Sequence, residues 1–423
     1  MKLSDAMSRL QTGYAPGLIL LYGSDASANE RYLSLCDGFA RRFGEEREVG
    51  FFSAPGRTEI GGNHTDHQRG RVLAAALHLD AVGVASQTED AVVRLESSGR
   101  DIDRVDISDL APQPEERTHS AALIRGICAR MKELGFRAGG FDAYTHNLVL
   151  PGSGMSSSAA FEVLVVTILN HLYNDGAIPP ITAAQIAQYA ENVYFGKPSG
   201  LMDQAASALG GAVSLDFADP ALPAVRRVDL DLAQYGYALC LVDTGGTHAD
   251  LTEEYAAIPA EMRAVAAALG GEVLRETDEQ EFLERLPALR ESCGDRAALR
   301  ALHFFSDDRR AALEADALER GDFDAFLRLM RESGFSSILC LQNIAPASDS
   351  AHQGVALGLA VCARILGERG AYRVHGGGFG GTVQAFVPAD LLDAFRAETE
   401  RVFGDGGCHA LRIRPQGGVE VEV

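Results

Sequence analysis

The sequence predicts a mixed α+β protein built from two domains, and three observations support this. The chain has 423 residues, 46% of them hydrophobic, which is more than one core usually needs. Between residues 141 and 172, a run that alternates like a strand is followed by a glycine- and serine-rich loop and an apolar run typical of a buried helix. Beyond residue 211, runs typical of strands alternate with runs typical of helices.

The expected division of the chain is a helical lead in residues 1–48, a first domain in 49–210 and a second domain in 211–423. The lead contains an amphipathic helical start, a turn at 13–17 and a second helix near 29–43. It shows no residues that suggest chemistry. We expect it to pack against the first domain or to form an oligomer surface.

Residues 51–70 form a dense polar segment that begins and ends among apolar residues. Its polar side chains lie between glycines and are Arg57, Glu59, Asn63, His64, Asp66 and His67. A metal site made by His64, Asp66 and His67 is one interpretation, although their spacing matches no strong metal template. Hydrogen bonds to a polyhydroxylated ligand are the favoured interpretation, because each sugar hydroxyl needs both a donor and an acceptor.

Residues 150–160 form the loop that leads from the strand predicted near 141–150 into the helix predicted from residue 156. Unpaired backbone N–H groups and the positive end of the helix dipole make such a terminus suitable for phosphate. An ordinary strand-to-helix turn with Ser156 as the N-cap is the alternative. The phosphate-binding set predicted here is Pro151, Gly152, Ser153, Gly154, Met155, Ser156, Ser157, Ser158, Ala159 and Ala160.

Two acidic residues follow in the next helical stretches. A helix predicted over 181–195 places Glu191 in its last turn, where a carboxylate opposes the helix dipole. Either Glu191 is solvated or a cation offsets this cost, and Mg²⁺ is the natural cation beside ATP. Asp203 lies among largely apolar neighbours, so it is either a base or a helix N-terminal Asp.

The remaining chain is predicted to continue this alternation. A charged hairpin is expected within 91–120 and a helix over 121–134. Strands are expected at 212–217, 237–242 and 383–387, and helices near 253–269, 296–303, 309–319, 323–333 and 354–366. The turn at 242–246 and Tyr255 are expected to reach a ligand.

Residues 371–382 contain five glycines around one Phe between two expected strands. These glycines are Gly376, Gly377, Gly378, Gly380 and Gly381. Glycine weakens a regular strand, so the segment is predicted to be a turn that lets backbone approach another group closely. A purely structural tight turn is the alternative.

Composition limits the partners and the compartment. A formal charge of −21 and a pI near 4.9 argue against nucleic acid and against an anionic membrane surface. The seven cysteines are scattered and odd in number, which indicates reduced thiols. No secretory pattern and no membrane-spanning run is recognisable, so a cytoplasmic protein is expected. The oligomeric state cannot be read from the sequence.

Four segments, in this order, resemble the motifs of the galacto-, homoserine-, mevalonate- and phosphomevalonate-kinase (GHMP) family, and its galactokinase branch is the most similar. The galactokinase pattern Gly-Arg-Val-Asn-Leu-Ile-Gly-Glu-His-Thr-Asp-Tyr matches 56–67 without a gap at six positions. Gly-Leu-Ser-Ser-Ser-Ala-Ser-Leu-Glu matches 154–162, Cys-Gly-x-Met-Asp-Gln matches 199–204, and Gly-Gly-Gly-Phe-Gly-Gly matches 376–381. The resemblance covers roughly residues 50–388, and the combination is highly specific.

The resemblance implies a two-domain α+β GHMP kinase, with a ribosomal S5-like N-terminal domain and an α/β C-terminal domain. It implies a sugar 1-kinase that uses ATP and Mg²⁺ and makes α-D-galactose 1-phosphate. Asp203 falls on the catalytic aspartate and Arg57 on the arginine that keeps it ionised, while Glu191 falls on the Mg²⁺ carboxylate, with Ser157 as a further metal candidate. The sugar-contacting positions are Arg57, Asn63, His64, Asp66, Gly200, Asp203 and Tyr255.

Departures from the family pattern leave two alternatives open. Asn63 stands where galactokinases have a Glu that meets the sugar 6-hydroxyl, and His67 replaces their Tyr, as in galacturonokinases. Galacturonate is therefore an alternative substrate, and Lys197 would add a cation if it faced inward. Ala160 replaces a serine that helps hold Mg²⁺ in many galactokinases, which leaves Ser156, Ser157 or Ser158 for that role. A sugar- and ATP-binding sensor without kinase activity is the second alternative.

Overall fold

The computed structural model describes residues 1–23, 27–150, 154–245, 251–349 and 351–423. A long antiparallel pair, β1 (Gly50–Gly61) and β2 (Arg71–Gln87), forms the centre of a mixed sheet. The other strands of this sheet are β3 (Val92–Ser97), β4 (Ile102–Asp106), β5 (Phe141–Asn147), β6 (Ala212–Asp216), β7 (Ala224–Val228) and β12 (Val419–Glu420). Their order is β12-β1-β2-β5-β3-β4, with β6 also paired to β2 and β7 to β6.

The boundary expected at residues 210 and 211 does not coincide with a change of sheet. The strand expected at 212–217 to begin the second domain corresponds to β6, which pairs with β2 of the first sheet. The length of β2 explains this, since residues 71–75 pair with β6 while residues 81–87 pair with β5. The C-terminal strand β12 also returns to this sheet and pairs with β1.

Side chains alternate between the two faces of the large sheet and enter different cores. Phe52, Ala81 and Ala85 pack with the buried helices that follow β5. Phe51 and Val84 lie on the opposite face and pack with the N-terminal helices. This is the period-two pattern of a strand that is covered on both sides. The helical lead therefore covers the face of the sheet opposite to the loops described below.

The helices are α1 (Leu3–Thr12), α2 (Pro16–Tyr22), α3 (Ser27–Phe43), α4 (Ser120–Glu133), α5 (Ser157–Asn174), α6 (Pro180–Tyr189), α7 (Met202–Leu209), α8 (Thr252–Ala268), α9 (Glu279–Cys293), α10 (Asp295–Glu319), α11 (Phe323–Ser336), α12 (Gly354–Leu366) and α13 (Leu392–Phe403). Wider π-helical turns extend α6 over Ala190–Phe195 and α11 over Ser337–Leu341. None of the helices in the described ranges is long and apolar enough to cross a membrane.

A second, fully antiparallel sheet has the order β11-β8-β10-β9. Its strands are β8 (Tyr237–Asp243), β9 (Ala371–Val374), β10 (Thr382–Pro388) and β11 (Cys408–Leu411). One face packs on α12 and α13 through Val242, Val383 and Phe395. The opposite face packs on α11, where the rings of Phe386 and Phe326 meet edge to face.

Residues 295–319 form one helix, α10, rather than the two helices expected at 296–303 and 309–319. The polar run Ser306-Asp307-Asp308 suggested a break, yet Asp307 is completely buried and Asp308 nearly so. Asp307 accepts the backbone N–H of Asn63, in the loop after β1, and Asp308 accepts that of Arg71, the first residue of β2. The helix is therefore polar in its middle because it faces the backbone of another element.

Candidate active site

Arg57 and Asp203 form a paired charge at the point where β1, α5 and α7 meet. Arg57 Nε donates to Asp203 Oδ1 at 2.7 Å, and a terminal nitrogen of Arg57 donates to Asp203 Oδ2 at 2.6 Å. The other terminal nitrogen of Arg57 donates to the carbonyl of Gly154. Arg57 is almost fully buried, whereas about a quarter of the Asp203 side chain, 24%, is exposed. Asp203 is thus a fixed carboxylate that a ligand can still reach.

The surroundings of Asp203 favour its ionised form. Burial opposes ionisation, but the Arg57 guanidinium, its hydrogen bonds and a hydrogen bond from Ser156 outweigh this and hold the pKa of Asp203 below its usual range. Asp203 is therefore an acceptor at neutral pH. A carboxylate in this state can take a proton from a ligand hydroxyl.

The described part of the predicted phosphate loop leads directly into α5. Met155 and Ala160 are buried, and the Met155 carbonyl accepts the backbone N–H of Arg57 at 3.0 Å. Ser156 adopts a left-handed conformation with φ of 57°, and Ser157 begins the helix. The first turn of α5 thus starts beside the Arg57–Asp203 pair. The predicted contacts of Pro151, Gly152 and Ser153 lie outside the described residues.

Glu191 lies in the π-helical turn after α6 and is almost completely buried. Its Oε1 accepts from Lys197 Nζ at 2.7 Å and from Ser158 Oγ at 3.3 Å. Its Oε2 accepts from Ser199 Oγ at 2.5 Å and from Gln204 Nε2 at 2.9 Å. The serine that the structure places against this carboxylate is Ser158, not Ser157.

Gln204 connects Glu191 to a second buried carboxyl group, that of Glu162 on α5. The amide nitrogen of Gln204 donates to Glu162 Oε2 at 2.9 Å. Burial, followed by the charge of Glu191, raises the pKa of Glu162 well above its usual value. This shift favours the neutral form of Glu162 at physiological pH.

The residues around Glu191 fit Mg²⁺ as a ligand set. Mg²⁺ prefers hard oxygen ligands and is usually held by one or two carboxylates together with substrate phosphates and waters. Glu191 and Ser158 offer a carboxylate and a hydroxyl oxygen at the start of the predicted phosphate-binding helix. Elsewhere in the described ranges, no three His, Cys, Asp or Glu side chains meet in a way that could hold a metal, so His64, Asp66 and His67 form no such cluster.

The loop after β1 brings His64, Asp66 and Gly200 close to one another. His64 Nε2 donates to the Gly377 carbonyl at 3.0 Å, and burial followed by the nearby His67 lowers the pKa of His64 to about 3. His64 is therefore neutral. Asp66 approaches Gly200 so closely that a Cβ at residue 200 would lie 1.8 Å from Asp66 Oδ2. A side chain at residue 200 would therefore require the Asp66 carboxylate to move.

Asn63 is enclosed by protein on all sides. Its amide nitrogen donates to Glu59 Oε1 and to the Gly376 carbonyl, both at 2.8 Å. Its amide oxygen accepts from Asn343 Nδ2 at 2.8 Å, and its exposed fraction is 0%. The predicted contact of Asn63 with a sugar would thus require one of these hydrogen bonds to be replaced.

The glycine-rich loop between β9 and β10 contacts both the loop after β1 and helix α8. Its carbonyls at Gly376, Gly377 and Gly378 accept from Asn63, His64 and Tyr255 respectively. A Cβ at Gly377 would lie 2.2 Å from Tyr255 Cε1. The Gly380 N–H also donates to the Gly378 carbonyl, and the Gly381 carbonyl accepts from the Thr244 N–H. The loop therefore joins elements, and Tyr255 lies against its backbone.

A buried polar cluster below Asn63 was not predicted from the sequence. Arg373 Nη2 pairs with Glu59 Oε1, and His303 Nε2 donates to the carbonyl of Asn63 at 2.9 Å. Asp307 accepts the Asn63 N–H at 2.9 Å. Polar residues within apolar helical stretches are the only sequence signal for such a cluster. Gln204 and Glu162, also missed, lie inside the segments that carried the family resemblance.

Two family models match parts of this chain, and several known proteins are similar to most of it. The family model described as "GHMP kinases N terminal domain" matches residues 122–211, and that described as "Galactokinase galactose-binding signature" matches residues 37–87. A galactokinase from Streptomyces coelicolor is 34% identical over 379 residues, which cover 89% of this chain and 94% of that protein. A galactokinase from Bos taurus is 33% identical over 363 residues, covering 83% and 86%.

Solved structures show the same fold. A Lactococcus lactis galactokinase in complex with galactose superposes with a TM-score of 0.78 at 24% identity, covering 92% of this chain and all of that one, 100%. A mevalonate kinase superposes with a TM-score of 0.61 at 13% identity, covering 86% and 99%. The predicted two-domain α+β GHMP kinase fold is thereby confirmed. Together with the relatives above 30% identity, these matches establish that the chain belongs to the galactokinase family of GHMP kinases.

Proposed function

We propose that this protein is an ATP-dependent sugar 1-kinase that phosphorylates the anomeric hydroxyl of D-galactose and releases ADP. The observation that carries the proposal is the Arg57–Asp203 pair, which lies at the start of α5 and remains partly accessible. Its family membership supports the same activity, since the related galactokinases align over most of the chain.

Asp203 is the proposed base. Its carboxylate takes the proton of the anomeric hydroxyl while that oxygen forms a bond to the γ-phosphorus and the bond from phosphorus to the ADP oxygen breaks. Arg57 keeps Asp203 ionised and orients it through two hydrogen bonds. Phosphoryl transfer needs positioning and charge neutralisation more than covalent help from the protein, which is what this pair supplies.

The start of α5 and Glu191 are proposed to receive the triphosphate end of ATP. Backbone N–H groups of the first helical turn and the helix dipole favour phosphate oxygens. Glu191 and Ser158 would hold Mg²⁺, which when bound neutralises charge on the phosphates. Ala160, where many galactokinases have serine, is buried without a polar atom of its own side chain, so Ser158 is the hydroxyl available for this role.

Asp66, His64 and Gly200 are proposed to receive the sugar. Asp66 presents acceptors beside Gly200, while neutral His64 is anchored through Nε2. Gly200 leaves the space that a hydroxyl-bearing ring and Asp66 share. Tyr255 is held by the Gly378 carbonyl and would form the apolar wall of the same cleft.

The structure weakens the reasons for the two alternatives. The galacturonate alternative depended on Asn63 and on an inward Lys197, yet Asn63 is enclosed and Lys197 pairs with Glu191. The sensor alternative requires an incomplete reaction centre. Arg57 and Asp203 are instead both present and hydrogen-bonded.

The test is a coupled ADP-release assay with purified protein, ATP and Mg²⁺. Galactose, galacturonate, glucose, N-acetylgalactosamine and a reaction without sugar are compared at equal concentration. We expect turnover on galactose well above the sugar-free rate. Turnover on galacturonate alone would contradict the proposed substrate, and no turnover on any sugar would favour the sensor.

A further inference from the structure

Lys197 pairs with the predicted metal carboxylate, Glu191, although much of its side chain is exposed. Its Nζ is 2.7 Å from Glu191 Oε1, while 56% of its side chain is exposed, against 3% for Glu191. The ammonium is therefore at the mouth of the site, with its stem reachable from the solvent side. The glycine at 196, with φ of 87°, reverses the chain so that Lys197 points back towards the π-helical turn.

The oxygen that Lys197 contacts is the one that faces the nucleotide end of the site. Oε1 of Glu191 also accepts from Ser158, in the first turn of α5, whereas Oε2 faces Ser199 and Gln204. Lys197 Nζ and Ser158 Oγ both contact this oxygen. The distance between these two atoms therefore cannot exceed the sum of their distances to Glu191 Oε1. The ammonium is thus beside the terminus that binds phosphate in the proposed function.

Of the four side chains that donate to Glu191 in the described ranges, Lys197 is the one that carries a charge and a long flexible stem. A divalent cation that binds Oε1 competes with this ammonium for the lone pairs of the same oxygen and repels its positive charge. Once Glu191 is neutralised by the metal, the phosphate oxygens are the strongest anionic acceptors nearby. The displaced ammonium remains tethered next to them.

Lysine is rare in this chain. Only three of its 38 basic residues are lysines, at positions 2, 132 and 197. Lysine binds phosphate as a compact point charge, whereas arginine presents a planar fork that favours fixed bidentate pairs. Lysine is therefore better suited than arginine to a side chain that must exchange a carboxylate partner for a phosphate.

We propose that Lys197 is a catalytic cation that neutralises Glu191 in the nucleotide-free enzyme and contacts the γ-phosphate when Mg·ATP binds. The γ-phosphate is the relevant one because Lys197 lies on the segment that leads from Glu191 to Asp203, where the acceptor hydroxyl binds. This inference rests on the proposed function for the position of ATP.

The test compares the binding of two nucleotides to the full-length protein by calorimetry in the presence of Mg²⁺. Adenylyl imidodiphosphate carries a γ-phosphate and ADP does not. Lys197→Met should lower the affinity for adenylyl imidodiphosphate by about 10- to 100-fold and the affinity for ADP by less than about twofold. Retained ADP binding also shows that the variant is folded. Lys132→Met, an exposed lysine on α4, is the matched control and should change neither affinity.

Equal weakening of both nucleotides, or no weakening, would overturn the γ-phosphate contact. Lys197→Arg keeps the charge and should bind adenylyl imidodiphosphate more tightly than Lys197→Met; if the two variants bind equally weakly, the charge is not the cause. In turnover assays, Lys197→Met should lower kcat and leave the KM for sugar nearly unchanged. Nucleotide discrimination without any galactose turnover by the wild type would support Lys197 and reject the proposed substrate.

Discussion

Asp203 combines two properties that a base for phosphoryl transfer needs. It is ionised, because Arg57 and Ser156 lower its pKa despite burial, and it retains a partly exposed edge. Arg57 also donates to the Gly154 carbonyl, so the charge of Asp203 and the position of the loop before α5 depend on one side chain. This explains why Arg57 is almost completely buried.

Asp203→Asn should preserve the fold and nucleotide binding but lower kcat by about 10²- to 10⁴-fold, because the amide cannot accept the proton. The ADP-release assay measures the rate, and calorimetry with ADP measures binding. Asp219→Asn, on an exposed turn, is the control and should be fully active. Near wild-type turnover by Asp203→Asn would remove Asp203 from the mechanism.

Asn63 makes contacts within the protein that its place in the sequence did not indicate. Its hydrogen bonds to Glu59, Gly376 and Asn343 make it a link between the first sheet and the glycine-rich loop. In the sequence, Asn63 in place of the galactokinase Glu is one reason for the galacturonate alternative. The structure adds that such a carboxylate would be buried next to Glu59.

Asn63→Glu should therefore destabilise the protein by about 2–4 kcal/mol, since it buries a like charge beside Glu59. The midpoint of urea unfolding measures this. In a double-mutant cycle with Glu59→Gln, which removes the neighbouring charge, the coupling should be favourable by at least about 1 kcal/mol. Unchanged stability with an altered sugar preference would place Asn63 in contact with substrate instead.

The glycine-rich loop shows how one element can require glycine for two separate reasons. Gly376 and Gly378 both have positive φ, 62° and 83°. A Cβ at Gly378 would lie 2.1 Å from the backbone oxygen of Asn343, whereas at Gly376 the nearest atom would be 3.7 Å away. Gly376 thus needs glycine for conformation alone, and Gly378 also for space.

Gly378→Ala should lose clearly more stability than Gly376→Ala, which carries only the backbone strain of about 1–3 kcal/mol. The extra loss arises because the Asn343 backbone, which also accepts the Phe379 N–H at 2.5 Å, cannot move away easily. Thermal unfolding of both variants is the measurement. Equal losses would mean that the loop relaxes freely around Asn343.

The elements themselves were predictable to different extents. Strongly apolar or alternating stretches such as α5, β8 and β10 were predicted close to their observed bounds. β1 was not recognised as a strand through Gly61, since its polar residues contact distant elements: Glu59 pairs with Arg373 and Thr58 with His375. Periodicity reports exposure to solvent, and it fails where polar residues are buried against other polar residues.

Across the whole molecule, Asp80 ties the N-terminal helices and the C-terminal segment to the large sheet. Its carboxylate accepts from Arg31 at 2.6 Å, Tyr22 at 2.6 Å, Ser53 at 2.5 Å and Arg414 at 2.8 Å. Burial opposes its ionisation, but Arg31 and Arg414 hold the pKa of Asp80 below its usual value. The helical lead is therefore joined to the core by charge as well as by apolar contacts.

Asp80→Asn should destabilise the protein by about 3–5 kcal/mol at pH 7, because it leaves two buried guanidinium groups without their anion. A carboxylate whose pKa is lowered by folding contributes its full stabilisation of the protein at pH values above its unfolded-state pKa of about 3.9. This contribution is lost as the pH falls through the folded-state pKa. The gap in urea midpoint between wild type and variant should thus be constant from pH 7 to 5 and shrink only in stronger acid.

Asp90→Asn provides the control for Asp80. Asp90 pairs with Arg94 four residues away at the surface, where solvent screens the interaction, and its replacement should change the urea midpoint little. If Asp80→Asn behaved like Asp90→Asn, the network around Asp80 would not hold the helical lead to the sheet.

Local chemistry in the sequence was sufficient to predict the family, the helix that follows the glycine- and serine-rich loop, the importance of Arg57 and Asp203 as candidates, and the glycine-rich turn. Such features depend on residue type and on spacing over a few positions. The partner of Lys197, the enclosure of Asn63 by Asn343 and the pairing of β6 with β2 required the folded chain. Each of these three contacts depends on how a chain reversal or an element distant in sequence packs. Many residues of suitable chemistry could make such a contact, and only the packing of the folded chain selects one.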